Sequence, residues 1–118
     1  MNYDPLSEVK DEPLVVSEVT LQQLSSFRAA DKFLELPGVA PTEERKRLSS
    51  IMNALLDRLI AGVSENSTKL WVMKQFQLAL NAVSTEDTEG RDHFGRNLEI
   101  VMDILHIETS DGLLGFYL

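Results

Sequence analysis

The sequence predicts an all-α, compact single domain of four main helices, with an N-terminal arm and an apolar C-terminal tail packed on the core. Three observations carry this. Apolar residues recur at helical spacing in four stretches, each long enough for a helix. Polar cap and turn signals separate the stretches. The 118 residues are 43% hydrophobic, which suits one domain with one core and is well above the share in a disordered chain.

Residues 1–19 form the arm. Asp4-Pro5 and Glu12-Pro13 disfavour a continuous helix there. Leu14-Val15-Val16 reads as a short strand or an extended segment, and the absence of an obvious strand partner favours a docked arm. The first helix is expected over 20–36, with Leu24, Phe27 and Leu34 on its inner face and Arg28, Asp31 and Lys32 on or near the outer one. Pro37-Gly38 is its expected stop. The second helix, over 42–62, starts at Thr42 as N-cap, with Glu43 and Glu44 in the positive first turn. Its apolar positions, from Leu48 to Val63, make a stripe wide enough to touch two or three neighbours, so it should be the most buried helix. Glu43 and Arg47 are spaced as a favourable i,i+4 pair.

The third helix is expected over 68–83, capped by Asn66 or Ser67, with Val72, Met73, Phe76, Ala79, Leu80 and Val83 facing inward. At about 100° per residue, Trp71, Leu78 and Ala82 fall on a second face, either covered by another element or exposed for a partner. Ser84-Thr-Glu-Asp87 is an acidic start signal for a fourth helix over 86–106. Phe94, Leu98, Val101 and Leu105 form its inner stripe, while Asp92, Arg96, Glu99, Asp103 and His106 fall outside. Gly90 and Gly95 weaken its first half. Residues 110–118 form the tail: Leu113-Leu-Gly-Phe-Tyr-Leu118 is too apolar to stay free in water, and folds back on the core or docks in a partner.

Net charge is −8, and it is unevenly spread. Residues 1–20 carry five acidic groups and one Lys, and residues 84–118 carry eight against two Arg. The middle carries six acidic and eight basic groups. Such a field repels nucleic acid and steers a basic protein partner. The lack of Cys removes disulfides, thiolate nucleophiles and cysteine metal sites. No apolar run reaches membrane-spanning length and the first residues do not read as a secretory signal, so a cytoplasmic location is expected.

The residues offer little for catalysis. There is no Gly-rich phosphate loop, nucleophile elbow or His-Glu-x-x-His motif. Two histidines, His93 and His106, would lie about 140° apart on one helix. Glu99, Asp103 and His106, at i, i+4 and i+7, suit zinc or manganese in ligand type but converge poorly from a single helix, so no metal and no cofactor is expected. Glu89 and His93 could pair as carboxylate and base, with no nucleophile or oxyanion donor to complete a site.

The segment Met102-Asp-Ile-Leu-His-Ile-Glu-Thr-Ser-Asp-Gly-Leu-Leu, with the acidic Thr85-Glu-Asp-Thr-Glu-Gly-Arg before it, resembles a small, uncharacterised bacterial helical family, domain of unknown function 4844, over residues 84–114. The resemblance implies a compact, helix-rich bacterial protein and carries no activity or catalytic residue.

The expected function is that of a non-enzymatic, acidic protein-binding module, in its specific form an immunity-type inhibitor that masks a basic toxin or nuclease surface. Asp92, Glu99 and Asp103 are its candidate acidic contacts, and Trp71 and Leu78 its apolar anchors. The alternatives are a small enzyme using Glu89/His93 or Glu99/Asp103/His106, and a structural homodimer pairing its Trp71 stripes.

Overall fold

A computed structural model describes residues 3–34 and 42–118, leaving aside the side chain of Thr42. Among these residues the fold is all-α. A short 3-10 turn, Pro5–Glu8, precedes α1 (Glu18–Ala29), α2 (Thr42–Gly62), α3 (Lys69–Ala82), α4 (Thr88–Ile104) and α5 (Leu113–Tyr117). The extended contacts include one isolated antiparallel bridge, between Pro13 and Thr68.

The helix α2 is the centre of the core. Leu48, Met52, Leu55, Leu56, Leu59 and Val63 are all fully buried, and the helix packs against α1, α3 and α4. A stripe this wide cannot face water on any side, which is why three neighbours gather on it. Arg47 does not settle on Glu43, as its spacing suggested. It reaches Glu86 at 3.0 Å and ties α2 to the loop before α4. At the other end Arg58 donates to the Gln75 side chain at 3.2 Å and to its carbonyl at 3.1 Å, joining α2 to α3.

The first helix differs most from expectation. It begins earlier, at Glu18, because Ser17 and Thr20 form a reciprocal capping box. It ends at Ala29, well short of residue 36. Ala30 turns extended, and the Lys32 ammonium donates to the carbonyls of Arg28 and Ala30 at 3.0 and 2.8 Å, satisfying acceptors the helix end leaves open. Lys32, expected on or near the outer face, is therefore buried, whereas Leu34, expected inside, is exposed. Phe33 takes a left-handed backbone (φ 61°) and stacks on Phe94, with ring centroids 6.1 Å apart. Tertiary packing of one aromatic ring has overridden the local helical period. The expected stop at Pro37-Gly38 lies outside the described residues, as does the Thr42 cap.

The arm is docked. Leu14 N–H donates to the Ser67 carbonyl at 2.8 Å, Lys69 N–H to that of Glu12 at 2.9 Å, and Leu70 N–H to the Asp11 carboxylate at 3.0 Å. The last two satisfy orphan donors at the start of α3, together with Thr68, which accepts from the Trp71 N–H and is the N-cap in place of Asn66 or Ser67. The tail is helical, a single turn whose Leu113 is fully buried. It packs against α3 and the 3-10 turn, where Gln77 bridges Asp4 and the Tyr117 hydroxyl.

Candidate functional site: an acidic groove between α4 and α5

The site is built by the way α4 ends. Its start is fixed by Asp87, whose carboxylate accepts from Gly90 N–H at 2.8 Å. Phe94, Leu98, Val101 and Met102 are buried, so Asp92, Glu99 and Asp103 are left facing water, and all three are exposed. At the C-terminus His106 takes a left-handed conformation (φ 60°). Ile107 N–H then donates back to the Met102 carbonyl at 2.9 Å and His106 N–H to Asp103 at 3.2 Å. This double bond pattern is a Schellman cap with histidine where glycine is usual, and the buried Ile107 supplies its apolar contact.

The reversal throws the chain back along α4. Ser110 accepts from Leu114 N–H through its hydroxyl at 3.2 Å, and Asp111 and Gly112, at φ 54° and 91°, complete the turn into α5. The tail then runs beside α4 closely enough that a Cβ added at Gly95 would meet Leu118 Cδ1 at 2.7 Å. Gly95 is thus the seat of the tail's last residue, a use the sequence did not disclose.

Between α4 and the returning chain lie two open depressions of about 350 and 310 Å³, meeting at Glu99 and Leu114. Together they form one groove. Asp92, Glu99, Asp103 and Glu108 line it, with Arg96 as the one basic residue, and Met102, Leu114 and Leu118 supply the apolar surface. Four carboxylates beside an apolar floor can accept several Lys or Arg side chains while burying an aliphatic one between them.

The structure brings together the three acidic residues singled out from the sequence and places the two apolar ones elsewhere, on α3. Trp71 is half-buried with its indole ring against Gly62: a Cβ there would lie 2.8 and 2.9 Å from two ring carbons. Leu78 is exposed, as is Ala82, so the second stripe of α3 is split between a covered end and an open one. The apolar partners of the carboxylates, Leu114 and Leu118, come from the tail. Their signal in the sequence was the apolar hexapeptide itself, which points to a docked segment without saying what it docks beside.

Glu99 and Asp103 line the groove, while His106 serves as the helix cap. Among the described residues, no group of three His, Cys, Asp or Glu side chains is placed to hold a metal ion. His93 is half-buried and lines a different cleft, against the exit of α1, and Glu89 is not among that cleft's lining residues. Among the described residues, no helix is long and apolar enough to cross a membrane.

Fold and groove together define a small all-α domain with an acid-lined surface groove. The chain belongs to the family described as domain of unknown function (DUF4844), whose family model matches residues 15–118 and so takes in every helix from α1 to α5. No curated protein and no solved structure matches it significantly.

Proposed function

We propose that this protein is a non-enzymatic protein-binding module whose α4–α5 groove takes a basic segment of a partner protein. In its specific form it is a cytoplasmic immunity-type inhibitor covering the cationic surface of a toxin or nuclease. The observation that carries the reading is the convergence of Asp92, Glu99, Asp103 and Glu108 on one groove beside Leu114 and Leu118. A net charge of −8 supports it by steering a basic partner, and the apolar floor gives such a partner something to bury. Charge of this kind acts chiefly on encounter rate and specificity, so the partner's own apolar anchor should supply much of the affinity.

The test is co-expression with the product of the neighbouring gene, followed by calorimetry on the purified pair. The Glu99→Lys/Asp103→Lys double variant should weaken binding by about tenfold or more and flatten its salt dependence. Unchanged affinity and an unchanged salt slope in that variant reject the groove as the contact.

A further inference from the structure

We propose that the cleft between the exit of α1 and the middle of α4 binds a small organic carboxylate, with the anionic head held by cations and the apolar body laid on the cleft floor. In a chain of net charge −8, this is a place where basic side chains converge on a concave, apolar surface. The cleft is about 320 Å³. Lys32, His93 and Arg96 line it together with Phe27, Phe33 and Ile100, and among the described residues Asp31 is its single carboxylate. Lys32 also lines an adjoining depression shared with Arg45 and Lys46, so the local field is positive over both.

Two features set this cleft apart from ordinary surface. The first is Lys32 itself. A surface lysine keeps its head in water, but Lys32 is only 6% exposed. Its ammonium meets two backbone carbonyls and lies 5.2 Å from the centre of the Phe27 ring, with no carboxylate in ion-pair reach among the described residues. Burial, with the Arg28 charge adding to it, holds its pKa below the ordinary lysine value. Among the described residues, backbone dipoles, the Phe27 ring and the more distant Asp31 charge offset the desolvation of this ammonium, and an incoming anion would add a direct ionic partner. The second feature is Phe33, held at φ 61° in a region that non-glycine residues rarely occupy, on the wall of the same cleft. Backbone strain of this kind collects where a ligand or switch makes use of it.

The chemistry follows from the side chains. Arg96 is exposed at the rim and offers a planar fork that matches a carboxylate. Lys32 uses two of its three ammonium donors on Arg28 and Ala30, leaving one for a second carboxylate oxygen. Phe27 and Ile100 would cover an aromatic or aliphatic body. This site shares Arg96, and no other lining residue, with the α4–α5 groove; Lys32, His93 and the apolar floor lie outside that groove, so neither reading depends on the other.

Titrating isotope-labelled full-length protein with octanoate, octan-1-ol and octylamine, followed by amide NMR shifts, tests the proposal. Octanoate should give saturable shifts confined to residues 27–34 and 93–100. Octanol should bind about tenfold more weakly, and the amine not at this cleft, since only the acid can form a charge-assisted hydrogen bond with its cations. Arg96→Gln, an exposed position, should weaken octanoate by about tenfold without changing the fold, and Lys32→Gln should do the same if its melting curve stays cooperative. Any of three results overturns the proposal: no saturation, equal binding of acid and alcohol, or octanoate shifts centred on Leu114 and Leu118. An Arg96→Gln variant that binds octanoate as tightly as the parent overturns it too.

Discussion

The Lys69 ammonium lies 2.7 Å from Oδ2 of Asp111, and the backbone N–H of Lys10 donates to the same oxygen at 2.9 Å. One carboxylate thus joins the N-terminal arm, the first turn of α3 and the turn before α5, three segments far apart in sequence. Lys69 is only 3% exposed, and among the described residues Asp111 is the carboxylate it pairs with. The Lys69 hydrogen bond first, and the Lys10 backbone bond next, hold the Asp111 carboxyl below its usual pKa. Folding therefore favours its ionised form. That contribution is complete above the unfolded carboxylate value of about 3.9, and is lost as the pH falls through it towards the lower folded pKa.

Urea denaturation should accordingly show a stability loss on the acid side that is shallower in Asp111→Asn. At neutral pH the same variant should lose about 1.5–3 kcal/mol, the worth of a charge-assisted bond on a buried partner. Parent and variant curves that run parallel from pH 7 down to pH 3 would show that the carboxylate contributes nothing through its charge.

Gly62 and Trp71 form a second cross-helix fit. Alanine is normally a better helix residue than glycine by up to about 1 kcal/mol. Here the added Cβ would meet the rigid indole ring at 2.8 Å, so Gly62→Ala should instead destabilise by about 1–3 kcal/mol. Trp71→Leu makes room, and the double variant should cost less than the two single changes together. Circular dichroism during denaturation reads this without relying on the tryptophan; strict additivity would show that the two do not meet.

His106 caps α4 at φ 60°, a conformation glycine enters without steric cost. His106→Gly should raise stability by about 0.5–1 kcal/mol, glycine's own entropy offsetting part of the relief. A lowered melting temperature in this variant would mean that the imidazole makes a contact worth more than the strain.

Leu113 and Leu78 look equivalent as residues but sit at opposite extremes, fully buried and 56% exposed. Leu113→Ala should cost about 2–4 kcal/mol and loosen the tail, while Leu78→Ala should change stability by less than about 0.5 kcal/mol. Similar costs at both positions would place Leu78 in an interface, and size measured at two protein concentrations would then reveal a dimer.

Much of the fold was legible because helices advertise themselves locally. The stripe from Leu48 to Val63 repeats on a period only a helix satisfies, and its breadth alone implies several neighbours. The acidic face of Asp92, Glu99 and Asp103 was readable for the same reason: angle along a helix depends on spacing alone. What failed was a local inference overruled at a distance. The run from Leu24 to Leu34 keeps helical spacing, yet the helix stops at Ala29, Lys32 turns back to cap its carbonyls and Phe33 stacks on Phe94. Arg47 passed over its i,i+4 partner for Glu86 because exposed helix pairs are worth only a few tenths of a kcal/mol.

By itself, then, the sequence determined the class: an acidic, cysteine-free, all-α domain with a wide-striped central helix, an acidic outer face on its fourth helix and a tail too apolar to stay in water. Each of these depends on periodicity or composition, which neighbouring residues set. The tertiary structure alone decided what stands beside what. It seated Leu118 over Gly95, which turned the acidic face of α4 into one wall of a groove. It also buried Lys32 at the exit of α1, and it bound the arm to the tail through Asp111. These are contacts between residues remote in the chain, fixed by how the helices pack, and no local pattern encodes them.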